Sequence, residues 1–480
     1  MMSQPAVTTK QVPLDIVGST VFGRYSKINI AETFNMIISD DWLVPYAGYK
    51  RKSQITGDFG RAIFSSARAN IMIVVVDDVV YAVNNNISVT QVGEISTSTG
   101  DVYIDENNNA EIAICDRKNL YCYNWQLNKF TKVTTLPSGV VPGYVSFQNG
   151  RFIVADISSN RWYIGQVNDI NTWSWGPGST PVFNEVQTKA DKCVAAIRFP
   201  GRGNLLFVFG QTVTEAWYNI PDNQISGYQR SSAFNVDYGC LNPATIANNE
   251  NIIVWLAANN KSGPVIMWSN GSDPQQISTD GINYKLASLK NPSNSYGFLF
   301  KQDGHLLYQI TFPDDKLSYV YDFNTKKFFT LTDEYMGSHI AKRVAFFNNK
   351  YYFVSFKDGD LYEFGSTLTN YDYGDRIMEI PRVRQCSPIR EPNQKPFIVN
   401  NLTFTIEQGN SPGIQRVDFS MSKNGGISFS SYMSKELNTQ GHRMNRLNYW
   451  NLGRSNDFVA QFRFWSESRF VCTNGLASIY

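Results

Sequence analysis

The chain has 480 residues, of which 42% are hydrophobic, 14% aromatic and 18% charged, with 26 Tyr and 31 Phe. That length exceeds one ordinary hydrophobic core, and the aromatic-rich composition, dense in Asn-Gly punctuation, argues against a mainly helical protein. A net charge of +2 excludes a strong overall field toward nucleic acid or an acidic membrane.

Residues 1–66 show no clean period, and "RYSKINIAETFNMIISDDWLVPYAGYKRKSQI" mixes apolar and polar residues, so an N-terminal arm or packing extension is expected. The start, "MMSQPAVTTKQVPLDIVG", lacks the basic and apolar regions of a secretory signal, which points to synthesis in a cytoplasm. The longest aliphatic run, Ile71–Val76, is far shorter than a membrane span, and no membrane anchor is expected.

From Asn70 onward a recurring pattern appears. "NIMIVVVDDVVYAVN", "EIAICDRKNLYCYN", "VSFQNGRFIVADISSNRWYIG", "NLLFVFGQTVTEAWYNI", "NIIVWLAANNKSGPVIMWSNG", "YGFLFKQDGHLLYQITFP" and "FFNNKYYFVSFKDGDLYEFG" are short strands divided by turns. Their spacing falls in the range of propeller blades. "YCYNWQLNKFTKV" from Tyr121 aligns without a gap on "YVYDFNTKKFFTL" from Tyr319, which supports true repetition. In the last segment Tyr352, Val354 and Phe356 alternate with Tyr351 and Phe353, so both faces of one strand are apolar. A sandwich leaves one face wet, whereas stacked blades cover both. The expected fold is therefore all-β: a six- or seven-bladed β-propeller over residues 67–365 with an additional small C-terminal β domain.

After Gly365, residues 366–396 carry four prolines among charges and read as a linker or long loop. Strand patterning resumes at "FIVNNLTFTIEQG", and residues 397–480 are expected to form the C-terminal domain. From Ser366 to Tyr480 there are 13 Lys+Arg against 9 Asp+Glu, hence +4, which leaves −2 on the remainder.

Catalytic patterns are scarce. His305, His339 and His442 have no metal-ligand spacing, and the six cysteines show no pairing pattern, so buried free thiols are expected and no metal or cofactor is assigned. Adjacent carboxylates at Asp40-Asp41, Asp77-Asp78 and Asp314-Asp315 suit turns better than the facing pair of a glycosidase. "SKNGGISF" from Ser422 fits an Asp-box hairpin, which is structural. Ser/His/Asp sets cannot be assembled from sequence, because their proximity is spatial. No catalytic residue is assigned and no enzyme is expected. The run "HRMNRLNYWNLGRSNDFVAQFRFWSESRF" is densest in Arg and aromatics. Arg443, Arg446, Arg454, Arg463 and Arg469 are candidates for contact with a partner or with DNA phosphates, against the alternative of solvated or locally paired arginines.

"DYGCLNPATI", "QISTDGI", "QDGHLLYQITFPDDKLSYVYDFNTKKFFTL" and the ending with Arg446, Trp450, Leu452, Gly453 and Arg454 resemble the packaged-DNA stabilisation proteins of short-tailed bacteriophages. The resemblance spans roughly Arg61 to the C-terminus. It implies a virion tail nozzle or hub: a homohexamer below the portal and adaptor proteins, closing the channel on packaged double-stranded DNA without sequence specificity. It also implies contacts with a tail needle, tailspikes or fibres. The alternative is a carbohydrate- or receptor-binding propeller, lectin or glycosidase, with aromatic turns such as "NTWSWGPG" from Asn171 stacking on sugars.

Overall fold

A computed structural model describes residues 9–23, 31–220, 226–249, 251–408, 415–437 and 444–480. Short strands rich in Val, Ile, Tyr and Phe fold back on themselves wherever Asn, Asp or Gly accepts a positive φ, as at Asn348 and Asn349 (49° and 60°). The products are antiparallel sheets stacked in chain order. The first blade runs from Gly60–Ser66 to Val89–Glu94, the second from Tyr103–Glu106 to Lys129–Lys132, and the third from Pro142–Gln148 to Phe183–Glu185. The fourth runs from Cys193–Arg198 to Tyr228–Val236.

In the fifth blade two short strands, Gly239–Cys240 and Ala247–Asn248, share the inner edge of Ile253–Ala258. The motif "QISTDGI" opens the helix Asp280–Ala287, capped by Thr279, which buries Ile282 and Leu286 against the fifth and sixth blades. The sixth blade spans Tyr296–Gln302 to Lys327–Leu331. The seventh contains Ala341–Phe347, Lys350–Ser355 and Leu361–Gly365.

Among the described residues seven apolar clusters lie between successive sheets, and the last joins the seventh blade to the first. The ring thus has seven blades. The two-sided strand explains why closure is stable. Tyr352 and Val354 pack with Met72 and Val74 of the first blade, while Phe353 packs with Phe298 and Phe329 of the sixth. Each such side chain contributes about 1.5–3 kcal/mol by leaving water.

The N-terminal region differs from the expected extension. Gly48–Ser53 pairs antiparallel with Leu361–Gly365 and supplies the fourth strand of the last blade, and Gly60–Ser66 is the inner strand of the first. The region 366–396 also differs from a linker: Asn370–Asp372 and Ile377–Glu379 extend the seventh sheet, and Arg382–Gln385 is buried. Gly48–Ser53 and Asn370–Asp372 are six and three residues long, too short for a period to show, and they pair with each other across more than three hundred residues.

The C-terminal unit is a sandwich of two sheets. One is built on the long pair Phe397–Gln408 and Met444–Ser455, with Lys10–Leu14, Met36–Ser39 and Trp42–Pro45 from the N-terminal region. The other contains Arg382–Gln385, Val459–Trp465, Arg416–Ser422 and Met433–Glu436. Their shared core includes Phe458, Phe462 and Phe464, but also Leu14, Ile16, Met36 and Leu43, so the domain is not confined to residues 397–480. Glu32–Phe34 lies between blade six and this second sheet, making one continuous nine-stranded sheet. The propeller and the sandwich are joined by backbone pairing as well as by chain connectivity.

Candidate functional site

Inner strands of all seven blades converge on an axial cavity of about 310 Å³. Tyr103 and Tyr144 meet there with ring centres 4.3 Å apart and planes tilted by 38°, and the Arg343 guanidinium lies 6.0 Å from the Tyr103 ring while donating to the Gly297 carbonyl at 3.2 Å. Asp105 accepts from the backbone N–H groups of Phe147 (2.7 Å) and Glu106 (2.9 Å). Burial pushes its carboxyl up to about 6, with the Arg198 charge pulling the other way. A volume of about 310 Å³ corresponds to roughly ten water molecules. A DNA duplex, whose major groove alone is about 12 Å wide, does not pass through it.

A second arrangement joins residues that are far apart in sequence. His305 Nδ1 sits 2.9 Å from Asp322 Oδ2, and its Nε2 sits 2.9 Å from Ser39 Oγ. This is the order of a nucleophilic triad. Its surroundings favour a structural role. Asp322 also accepts from the Asn324 N–H and the Thr325 hydroxyl, which shape the adjacent turn. Ser39 lines none of the three cavities described. Asp40 and Asp41 follow it in a tight turn with φ of 48° and 63°. The relay fastens the Met36–Ser39 hairpin to blade six. The "DGH" turn and "YDFNT" hairpin, both legible in the sequence, carry its two propeller members; Ser39 carries no local signal.

The other adjacent carboxylates occupy turns as expected. Asp77 accepts from the Asp58 and Phe59 N–H groups, and Asp314 and Asp315 accept from Asn291, Asn294 and Lys290. All six cysteines are buried. Burial pushes the Cys115, Cys122 and Cys240 thiols up to about 12, which leaves them poor nucleophiles. In "NTWSWGPG" Trp173 is 1% exposed, and both Trp173 and Trp175 donate their indole N–H to backbone carbonyls of the same blade. Trp173 packs between the second and third blades, and the half-buried Trp175 ring is covered by the Arg151 guanidinium at 4.1 Å.

The candidate arginines are not brought together. Arg446 and Arg454 lie exposed on Met444–Ser455, and Arg446 Nε donates to Thr403 Oγ1 at 3.1 Å. Arg463, in the opposite sheet, covers the Tyr432 ring at 4.4 Å. Arg469 pairs with Asp303 at 2.7 Å and so ties the sandwich to the turn between the first two strands of blade six. Arg443 lies outside the described residues. Sequence reasoning missed Arg382 and Arg384, which are 2% and 1% exposed. Arg384 donates to the Asp15 and Ser19 carbonyls and to Thr33 Oγ1. An alternating Arg-x-Arg in a short segment carries no sign of such burial.

A family model for phage stabilisation, described as "Bacteriophage P22 Gp10, beta-propeller", matches residues 21–369. No curated protein matches the sequence. Solved structures with similarity include a streptogramin B lyase, at 9% identity and TM-score 0.45, covering 68% of this chain and 99% of that one. A catalytically inactive virginiamycin B lyase from Staphylococcus aureus shows 10% identity and TM-score 0.46, covering 66% and 99%. The N-terminal domain of Nup159 shows 10% identity and TM-score 0.41, covering 70% and 98%. Likenesses this distant carry no argument about activity.

Proposed function

This chain belongs to the phage-stabilisation family of P22 Gp10 β-propellers, and from that membership we propose that it acts as a tail nozzle or hub. In this role the chain assembles as a homohexameric ring below the portal and adaptor proteins. The ring retains the packaged genome and offers attachment surfaces to a tail needle, tailspikes or fibres. The mechanism is assembly and plugging, with no bond made or broken in a substrate.

The family match over most of the chain carries this reading. The geometry supports it in one respect. Because the axial cavity of a single propeller holds about ten water molecules, DNA must pass between copies of the chain, and the role therefore needs a ring of several copies. A net charge of +2 also suits a passage that must later release DNA, since many phosphate contacts would hold the duplex in place. In the same reading, the propeller and sandwich act as one rigid protomer.

The test is the mass of the purified full-length protein by light scattering, alone and with a purified portal–adaptor complex. The expected result is a particle of six chains, either free or on the adaptor. A protein that stays monomeric in both conditions, and does not bind the adaptor, overturns the reading.

A further inference from the structure

The inference here rests on the ring reading and names the surfaces that would form the ring. We propose that the open side of the C-terminal sandwich docks on the outer edge of the seventh blade's sheet in a second copy of this chain.

The first surface is built from two strand edges. Met444–Ser455 pairs with Phe397–Gln408 on one side only, so its other edge, twelve residues long, is open among the described residues. Met433–Glu436 ends the opposite sheet. The two edges meet: Lys435 Nζ donates to the Asn448 carbonyl, and its ammonium lies 5.0 Å from the Tyr449 ring. Along them Met444 is 61% exposed and Trp450 59%, beside Met433 and Tyr432. On the same strand Arg446 stands between Met444 and Trp450, and Arg454 follows Trp450. Trp, Tyr, Met and Arg are the residues enriched where protein partners meet, and a long open strand edge is a template for pairing.

The second surface has the opposite charge. Ile377–Glu379 is the open edge of the seventh blade's extended sheet. Ile377 is 66% exposed, and Tyr335 (68%) lies near it, its hydroxyl 3.5 Å from Arg376 Nη1. Met336 adds a further exposed apolar group. Of the cations beside it, Arg376 is paired with Glu334 at 3.2 Å and Lys357 with Asp333. Glu379 is exposed, and Asp375 has only a 3.9 Å approach from Arg51. The surface thus offers apolar groups within a net acidic surround.

Charge complementarity selects the occupant. A cationic aromatic edge and an acidic apolar edge on one chain match each other, and no described contact joins them within the chain. Two different complementary surfaces on each protomer give a head-to-tail junction, the kind that closes into rings. Both are strand edges, so main-chain groups can pair across the junction as in β-augmentation.

The experiment uses the full chain in three forms with light scattering. One variant carries Arg446→Glu and Trp450→Glu; another carries Ile377→Lys and Glu379→Lys. Each is expected to raise the concentration needed for half-assembly by more than about tenfold, with an unchanged thermal midpoint. An equimolar mixture is expected to assemble further than either variant alone, because one junction is intact and the other brings the reversed charges together with opposite sign. Rings that persist in both variants overturn the surface assignment and leave the ring reading standing. A wild-type chain that forms no ring, free or with the portal–adaptor complex, overturns the ring reading itself. Variants that form rings but fail to bind the adaptor assign the surface to a different protein and overturn the proposal.

Discussion

Replacing Tyr49 by alanine is expected to destabilise the chain by about 3–5 kcal/mol, the range for removing a large aromatic from a core. Tyr49 is fully buried in Gly48–Ser53, the strand that the N-terminal region contributes to blade seven. Its ring stacks on Tyr371 at 4.2 Å and 10° and meets Phe353, Tyr362 and Tyr373 edge-on. Its hydroxyl lies 2.6 Å from that of Tyr373, which donates to Glu334 at 2.5 Å. Loss of the ring removes the packing that holds the closing strand against blades six and seven. Tyr49→Phe keeps the packing and is expected to cost about 1 kcal/mol, the value of one hydrogen bond. Urea unfolding measures both. A cost for the alanine variant no larger than that of the phenylalanine variant would place ring closure elsewhere.

The second large effect is at Arg384. This guanidinium, 1% exposed, holds the Asp15 carbonyl through Nε and Nη2 (3.1 and 2.7 Å), the Ser19 carbonyl at 3.1 Å and Thr33 Oγ1 at 3.0 Å. It also pairs with the Asp15 carboxylate at 3.1 Å, and that carboxylate accepts from the Ser387 N–H and hydroxyl. Gly18 makes room for it: a Cβ there would stand 2.0 Å from Arg384 Nη2. Arg384→Ala strands the Asp15 and Ser19 carbonyls and Thr33 Oγ1 and is expected to cost about 3–5 kcal/mol, since each buried acceptor left unpaired costs about 1–3 kcal/mol. Lysine should not rescue it, because a single ammonium cannot reproduce the planar fork. Because Glu32–Phe34 bridges blade six and the sandwich, calorimetry should show the single unfolding transition split in two. A cost under about 1 kcal/mol with one transition retained would show that the seam is held by other groups.

Part of this was legible in the sequence and part was not, for physical reasons. The blades were visible because their strands bury both faces, so Tyr352 and Phe353 are apolar in succession, and because Asn and Asp mark the turns. The closure was invisible, since Tyr49 lies in "YAGYKRKS", where alternate residues of Gly48–Ser53 face solvent and the strand reads as a charged loop. The stretch with Arg382 and Arg384 reads as linker for a similar reason: buried charge is unexpected until Thr369 and Ser466 are brought to Arg382, and residues 15–33 to Arg384. The His305–Asp322–Ser39 relay depends on a fold that joins residues 266 positions apart. The C-terminal run reads as Arg-rich and aromatic-rich, and of its four described arginines only Arg446 and Arg454 share a strand.

The central claim is retention of packaged DNA by an assembled ring, and the direct measurement is the nuclease-resistant genome per particle, assembled with and without this chain. Particles lacking it are expected to package DNA and then lose it, with retention restored when purified protein is added back. Particles that keep a full, nuclease-resistant genome without this chain would contradict the account.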